Sequence, residues 1–537
     1  MTGKSFRFGG KMQSDRKSRS NLDRSRRFFS FWPLDRFSTL TDDGKQGLQE
    51  KGIHRNCSGM FPVRNVLFRK KIGIPLSASL LAVFLAGCGG GGSGSNTPPA
   101  EILYVLSEKG SISGGLITEY AINPSNGSLY QGSQTITTGT NPIQFLFDPN
   151  GAPYAFVLNN GNNTPVFAGG ILTADGGSPG SIQVFSFGSQ GLSTSPVFTQ
   201  ATGESPVSMA IDSQGQYLVV ADHGNETGGG GLEIFQIGSN GSLSAVPVPS
   251  SSPCSYPNKV LFAPPTDGTA DESLYLVCSN PEAINPSIPS VYYGTISQFE
   301  LGSSFTAIIS NTSAAIFNLA IDPSYQYVVF PGQSSSGGFV AEFPNKPAQS
   351  SQNPSSATFS TPFVPAGQMA FVGSSSSENV LVGNYDVTSN GLSSTSNTIL
   401  PCSVGSSGVS CPGTPSITTS SLVGPIALET NSAGTALYAV MTQTAVTANS
   451  ATSTSGSILP YSVSGSTLAS MNPVPTGGWP LSIAFDSNGN HAFVPNYGSG
   501  SVSVFSVGAN GALSPLNLNN GNNILSVGAN PISVIVR

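Results

Sequence analysis

Beyond residue 100 the sequence has very little positive charge. Four cationic side chains, Lys109, Lys259, Lys346 and Arg537, stand against 21 aspartates and glutamates in that part of the chain. Nucleic-acid binding depends largely on lysines and arginines that neutralise phosphates, so we expect no nucleic-acid partner. The same region is rich in Gly, Ser, Thr, Asn and Pro yet keeps many Val, Ile, Phe and Tyr residues, which favours turn-rich all-β structure over disorder.

Histidines are also scarce. Two of the three in the chain, His223 and His491, lie beyond residue 100. The sequence contains no His-Glu-x-x-His motif and no phosphate-binding loop of the Gly-x-x-x-x-Gly-Lys type. We therefore predict neither a cofactor nor a metal site.

One apolar run is too short for a confident membrane span. Residues 72–88, IGIPLSASLLAVFLAGC, follow four lysines and arginines between residues 64 and 71, a pattern typical of a signal peptide. The ending LAGC resembles a bacterial lipobox, which implies that Cys88 is lipidated and becomes the mature N-terminus. An ordinary signal or a short anchor is the alternative. The resemblance implies export to the cell envelope, and Gly89 in place of aspartate favours the outer membrane.

These features predict four segments. Residues 1–59 are basic, and are either disordered or upstream of a true start at Met60. Residues 60–87 form the signal peptide, and residues 88–100 form a flexible Gly/Ser-rich tether. Residues 101–537 form the folded domain.

That domain contains an even number of cysteines, as expected for disulfides in an exported protein. They are Cys254, Cys278, Cys402 and Cys411. Pairing 254 with 278 and 402 with 411 is the simplest of three connectivities. Metal ligation is the rival interpretation, but neither a histidine nor a Cys-x-x-Cys motif supports it.

A repeated motif runs through the domain. Residues 206–220, PVSMAIDSQGQYLVV, match residues 480–494, PLSIAFDSNGNHAFV, and residues 142–151, PIQFLFDPNG. Weaker copies start at 257 and near 316, 366 and 425, and the final copy at 531 stops after one strand. Each unit continues with an alternating strand such as LEIFQIG at 232–238 and then a Gly-x-Leu turn.

Repeats of four short strands with Gly, Asn and Asp turns predict a β-propeller. The first strands, near residues 102 and 116, resemble the second and third strands of a unit, and the last segment resembles a first strand. We therefore expect the C-terminal strand to join the N-terminal blade and close the ring. The count of unit starts favours eight blades.

The repeats resemble the lactonase-type propellers, a family that includes 6-phosphogluconolactonase-like and YVTN-repeat proteins. The resemblance rests on the pattern P-x-x-[ILMF]-x-[IF]-D-x-x-G-x-Y-x-x-V and on the V-x-V-F strand. It implies a single all-β propeller, with seven blades by analogy, and hydrolysis of a lactone by water or a side-chain base. The family's cationic grip on an acidic substrate is missing, because none of the cations here stands at a repeat position expected at the mouth. A neutral lactone remains possible.

Asp222, His223 and Glu226 are the candidate catalytic residues. They follow the second strand of their unit, where the loop faces the mouth, and an Asp-His pair can serve in acid–base catalysis. The alternative is that Asp222 caps a turn, like Asn159 and Asn496 at the same place in other units. His491, in the place of a tyrosine, is expected to be structural or exposed.

A second set of residues favours ligand binding. The residues before each unit-starting proline should ring the mouth, and we select Trp479 and Tyr256 with Asn496 and Tyr497. Packing between blades is the alternative for the two aromatic residues. The remaining members of the ring are Asn141, Ser205, Gly424 and Asn530.

The sequence therefore predicts an exported, lipid-anchored propeller that binds a neutral ligand or an envelope protein. A lipid anchor is its expected membrane attachment, and its oligomeric state is left open. A neutral-lactone hydrolase is the first alternative, and a structural protein of the envelope is the second.

Overall fold

The fold is known from a computed structural model, and all the residues it describes lie within one compact unit. The described residues are 101–108, 114–162, 164–168, 171–175, 178–188, 191–225, 228–248, 256–264, 272–279, 294–300, 306–311, 314–316, 318–334, 337–345, 355–358, 365–372, 378–388, 391–411, 422–442, 455–464, 467–518, 521–528 and 530–537. The predicted segments 1–59, 60–87 and 88–100 lie outside them, as do Cys88, Glu226 and Cys254.

The described residues are almost entirely β-structure, with one short 3-10 turn at Tyr497–Ser499. The first eighteen strands are β1 (Glu101–Glu108), β2 (Gly115–Ile122), β3 (Leu129–Thr137), β4 (Pro142–Phe147), β5 (Tyr154–Asn159), β6 (Thr164–Ala168), β7 (Ile171–Asp175), β8 (Pro179–Gly188), β9 (Gly191–Leu192), β10 (Phe198–Glu204), β11 (Pro206–Ile211), β12 (Tyr217–Asn225), β13 (Gly228–Ile237), β14 (Leu243–Val246), β15 (Pro257–Ala263), β16 (Ser273–Ser279), β17 (Gly294–Glu300) and β18 (Thr306–Asn311).

The other strands continue the same repeat. They are β19 (Ala314–Ile316), β20 (Ala320–Ile321), β21 (Tyr327–Ser334), β22 (Gly337–Pro344), β23 (Ser355–Thr358), β24 (Pro365–Val372), β25 (Glu378–Thr388), β26 (Gly391–Val404), β27 (Val423–Thr430), β28 (Ala436–Thr442), β29 (Gly456–Ser464), β30 (Thr467–Ser470), β31 (Val474–Thr476), β32 (Ala484–Phe485), β33 (His491–Asn496), β34 (Ser501–Val507), β35 (Leu513–Pro515), β36 (Ile524–Ser526) and β37 (Asn530–Val536).

Eight antiparallel sheets, which we number as blades in chain order, form a closed ring in the described part of the chain. Read from the outer to the inner strand, blade 1 is β3-β2-β1-β37, blade 2 β10-β8-β5-β4, blade 3 β14-β13-β12-β11, blade 4 β18-β17-β16-β15, blade 5 β23-β22-β21-β19, blade 6 β26-β25-β24, blade 7 β30-β29-β28-β27 and blade 8 β35-β34-β33-β32. Four short strands join these paths: β9 pairs with β8, β20 with β21, β31 with β29 and β36 with β34.

The predicted ring closure is confirmed. The C-terminal strand β37 pairs antiparallel with β1, with Leu103 opposite Val536 and Glu108 opposite Asn530. The predicted propeller of seven or eight blades is also confirmed, and the sheet β24-β25-β26 is the unit whose start near residue 366 has the weakest repeat signal.

The hydrophobic core lies in the seams between blades rather than at the centre of the ring. Each of the eight buried clusters draws its side chains from two neighbouring blades. Phe156 of blade 2 packs with Met209 and Phe235 of blade 3, and Phe493 of blade 8 packs with Leu103 of blade 1. This explains the near-continuous apolar character of the second strand of each unit, which is buried on both faces.

The Asp-x-x-Gly turn closes the first hairpin of each clear repeat. Asp212 Oδ1 accepts hydrogen bonds from the backbone N–H groups of Gln216 and Tyr217, both at 2.7 Å. Gly215 adopts a φ of 66°, which a glycine enters without steric cost. In blade 8 the carboxylate of Asp486 accepts the corresponding bonds. The aspartate recurs because its side chain satisfies backbone donors that the tight turn leaves open.

His491 is buried beside this turn. Its Nδ1 lies 2.7 Å from Asp486 Oδ2, and the ring packs against Gly127 of blade 1. Of the two roles predicted for His491, the structural one agrees with this position.

The disulfide between Cys402 and Cys411 is present, with an S–S distance of 2.00 Å. Cys278 is also disulfide-bonded, and its partner is not among the described residues. The 254–278 pairing therefore stays a prediction.

A hairpin inserted into blade 2 crosses onto its neighbours. Strands β6 and β7 pair with each other between β5 and β8, and β7 lies close to β11, β12 and β15. The backbone of the hairpin thus extends over the ends of blades 3 and 4.

Candidate functional site

The candidate site lies at the end of the ring where each inner strand begins. In blades 2, 3 and 8 the residue before the inner-strand proline has a positive φ, and its carbonyl accepts a hydrogen bond from the end of the second strand. These pairs, listed as acceptor and donor, are Asn141 and Asn160, Ser205 and His223, and Trp479 and Tyr497. The same backbone geometry therefore recurs at the start of the inner strand in these three blades.

The donor residue of each pair turns its side chain toward the next blade. Asn160 Nδ2 donates to the carbonyl of Pro206 at 2.6 Å. The rings of His223 and Tyr256 lie 5.4 Å apart. His223 itself is only 4 % exposed. The structure therefore brings together a predicted catalytic residue and a predicted ligand-binding residue, across the seam between blades 3 and 4.

The other aromatic pair lies in blade 8, at the junction with blade 1. The rings of Trp479 and Tyr497 meet edge to face at 5.2 Å, and both residues are half-buried. The Tyr497 hydroxyl donates to Glu108 Oε2 at 2.8 Å. Burial and the neighbouring Glu108 charge raise the pKa of Tyr497, which keeps the phenol protonated as the donor. Asn496 is fully buried, so its side chain lies beneath this loop and is not accessible to a ligand.

The carboxyl group of Asp222 lies against that of Glu233. Asp222 is 2 % exposed, its carboxyl group hydrogen-bonds to that of Glu233, and the Gly203 backbone N–H donates to Glu233 Oε2 at 3.1 Å. Burial, reinforced by the Glu233 charge, raises the pKa of Asp222 well above its ordinary value, and burial also raises the pKa of Glu233. Two adjacent buried carboxyl groups cannot both ionise without repulsion, so the pair retains a proton.

Blades 2 and 8 contain the same network without an acid. In blade 2, Gln183 Oε1 accepts from Gly139 N at 2.6 Å and lies 3.4 Å from Asn159 Nδ2. In blade 8, Ser503 Oγ accepts from Asn496 Nδ2 at 2.9 Å and from Gly477 N at 3.2 Å. In blade 3 the carboxyl group of Asp222 takes the place of the amide donor.

Sequence reasoning missed Glu233. Its position is visible in the sequence once the third strands are aligned, because IQVF, LEIF and VSVF place Gln183, Glu233 and Ser503 in the same register. The signal is a polar residue at the same position of these three third strands. It lies beside the second-strand position that Asn159, Asp222 and Asn496 occupy.

One part of the propeller is similar to a known family. Residues 379–520, which span most of blade 6, blade 7 and most of blade 8, match the family described as "Lactonase, 7-bladed beta-propeller". The chain is a β-propeller that is similar to this family over those residues. No curated protein sequence is significantly similar to it.

Several solved structures resemble this propeller at low sequence identity. The periplasmic gluconolactonase of Pseudomonas aeruginosa is 16 % identical with a TM-score of 0.48, over 81 % of this chain and 98 % of that one. A candidate 6-phosphogluconolactonase from Bacteroides fragilis is 14 % identical with a TM-score of 0.45, over 83 % and 100 %. Apo AztD from Citrobacter koseri is 10 % identical with a TM-score of 0.44, over 81 % and 97 %. Identities this low give no information about activity or ligand.

The described cations of the propeller lie at two different places. Arg537 stacks on Phe147 and Phe187, with its guanidinium carbon 4.4 Å and 4.9 Å from the ring centroids, at the end of β4 away from the mouth. Lys259 lies on the inner strand β15, two residues after Pro257. Lys259 thus holds the third position of its unit, where blades 2 and 3 have Gln144 and Ser208.

The described residues contain neither a cluster of metal ligands nor a membrane-spanning helix. No group of three or more His, Cys, Asp or Glu side chains there is placed to hold a metal ion. No helix in the same ranges is long and apolar enough to cross a membrane.

Proposed function

We propose that this propeller is exported, anchored by a lipid on Cys88, and binds an uncharged ligand at the mouth beside Trp479. The half-buried edge-to-face pair of Trp479 and Tyr497 carries the proposal. An indole held at a polar rim offers an apolar face to a sugar ring or a similar neutral molecule.

The backbone at Trp479 supports a binding role. Trp479 has a φ of 52°, a conformation that is unfavourable for a bulky residue, whereas Asn141 and Ser205 hold the same place in blades 2 and 3. The loop therefore does not need tryptophan for its own geometry. Strain of this kind often accompanies a functional side chain.

Trp479→Asn is expected to abolish ligand binding while leaving the fold intact, because asparagine tolerates this backbone conformation and already occupies it at Asn141. The measurement is the rise in melting temperature and the change in tryptophan fluorescence on titration with uncharged sugars and sugar lactones. Trp32 is the only other tryptophan, so the difference between the two proteins isolates Trp479. Trp479→Tyr, which copies Tyr256 of blade 4, is expected to retain part of the affinity. Unchanged titrations for Trp479→Asn would contradict the proposal.

Hydrolysis of a neutral lactone is the second candidate, and the Asp222–Glu233 pair favours it. With one proton between them, the two groups provide a carboxylate as general base and a carboxylic acid as general acid. The carboxylate would take a proton from water as the water oxygen bonds to the lactone carbonyl carbon. The carboxylic acid would give its proton to the ring oxygen as the carbon–oxygen bond breaks, so the pair again holds one proton. His223 and Glu226 remain predicted members of this site.

The catalytic candidate predicts that Asp222→Asn lowers turnover of a neutral lactone by about 100-fold or more, the usual contribution of a general acid or base. His223→Asn, which copies Asn160 of blade 2, tests the imidazole in the same assay. Release of acid from a series of neutral lactones gives the rate. Absence of turnover by the unmodified protein on every lactone would remove this candidate without affecting the binding proposal.

A further inference from the structure

One amino group lies on the inner wall of the propeller. The third residues of the repeat units together form a belt around the inner strands. The belt residues whose side chains are described are Gln144, Ser208, Lys259, Asn318, Ala427, Ser482 and Ser533. Within this belt, Lys259 is the only residue whose side chain carries a charge.

The belt position faces the gap between neighbouring inner strands. Gln144 Oε1 accepts from Met209 N at 2.7 Å, and its Nε2 donates to Met209 O at 2.8 Å. Ser208 Oγ accepts from Val260 N at 3.2 Å. In blades 2 and 3 the belt residue therefore satisfies the backbone of the next blade.

Lysine cannot take over this role because an ammonium group has no acceptor. The N–H that it would have to satisfy in blade 5 belongs to Leu319. That N–H donates at 2.8 Å to Asn318 Oδ1 of its own blade. The Leu319 N–H is thus satisfied without Lys259, and the ammonium is available to another partner.

No described residue supplies that partner. Lys259 is half-buried and forms no hydrogen bond or ion pair with the parts of the chain that the structure describes. Burial lowers the pKa of its ammonium group. A positive charge that is withdrawn from water without a counter-charge attracts an anion strongly.

We propose that Lys259 binds the carboxylate of a small organic acid at the inner wall of the propeller. A lysine ammonium acts as a point charge, and its single positive charge matches the single negative charge of a carboxylate. The site goes beyond the binding of an uncharged ligand at Trp479. If the lactone reaction occurs, its hydroxy-acid product carries the group that this site recognises.

Lysine labelling tests the site in the unmodified protein. Beyond residue 100 the only lysines are Lys109, Lys259 and Lys346, so two of them serve as internal controls. Acetylation by acetic anhydride is followed for each lysine by mass spectrometry over a series of pH values. We expect gluconate to slow the labelling of Lys259 several-fold and to raise the pH at which it becomes half-maximal, because a bound carboxylate favours the charged amine. Lys109 and Lys346 should not respond, and the uncharged analogue sorbitol should protect none of them.

Three results would overturn the proposal. They are no protection of Lys259 by gluconate, equal protection of all three lysines, and equal protection of Lys259 by sorbitol. Protection by inorganic phosphate but not by gluconate would overturn the assignment to a carboxylate.

Substitution gives an independent test. Lys259→Gln copies Gln144 and is expected to fold and to lose the gluconate-dependent rise in melting temperature. Lys259→Arg should retain the rise, and so should Lys346→Gln, which removes the same charge elsewhere. A full response in Lys259→Gln would contradict the assignment. Because the Trp479 titrations use uncharged ligands, failure of either proposal can be recognised separately.

Discussion

Replacing Asp222 with Asn and Glu233 with Gln together is expected to make the propeller more stable at alkaline pH. We expect a gain of about 1–3 kcal/mol in the free energy of unfolding, the usual cost of a buried polar group that loses its partner. The two replacements recreate in blade 3 the Asn159–Gln183 pair of blade 2. An amide can donate to its neighbour at every pH, whereas the carboxyl pair needs a proton.

The sign of the effect follows from the raised pKa values. Both carboxyl groups have a higher pKa in the folded protein than in the unfolded chain, so the folded state holds more protons. The stability that the pair contributes is complete below the unfolded pKa values near about 4 and is lost as the pH rises through the raised ones. The double variant lacks this loss. Burial also raises the pKa of Glu119 and of Glu342, the latter to about 7, but both are present in the two proteins and cancel in the difference.

Urea unfolding at several pH values between about 4 and about 9 measures the difference. The reciprocal variant, Asn159→Asp with Gln183→Glu, provides the control, because it should install the same loss of stability in blade 2. Parallel stability curves for the unmodified protein and the blade 3 variant would show that Asp222 and Glu233 do not share a proton.

The repeat units made most of the fold predictable. The turn at Asp212–Tyr217 is readable because one carboxylate and one left-handed glycine satisfy a purely local geometry. Alternation then predicts the strands, and strand-like ends predict the join of β37 to β1. Each of these features depends on residues that are close in sequence or repeated along it.

The site was only partly predictable, because its contacts cross between strands and blades. The motif selected Trp479 and Tyr497 within one unit, but the contact of His223 with Tyr256 depends on how blade 3 meets blade 4. Glu233 lies outside the loops that ring the mouth, so its partnership with Asp222 required the register of β12 against β13, in which Val220 faces Glu233.

The second large effect on stability is expected at Gly127, in the Gly-x-Leu turn of blade 1. Gly127→Ala should destabilise the propeller by about 2–4 kcal/mol, the sum of a left-handed conformation for alanine and an overpacked contact. Gly127 has a φ of 67°, and a Cβ there would lie 2.3 Å from His491 Cδ2 of blade 8. The imidazole cannot easily retreat, because its other side is held by Asp486 at 2.7 Å.

Gly151→Ala separates the two contributions. Gly151 has a φ of 81°, but no atom lies within 4 Å of a Cβ added there, so the conformational cost of about 1 kcal/mol should be the whole effect. Urea unfolding gives both values, and their difference measures the contact across the seam between the last blade and the first. In a double-mutant cycle, His491→Ala should partly relieve the cost of Gly127→Ala, because it removes the atoms that the new methyl group meets. Equal losses of unfolding free energy for Gly127→Ala and Gly151→Ala would mean that this seam can accommodate a methyl group. The closure of the ring would then depend on the β37–β1 ladder rather than on the packing of blade 8 against blade 1.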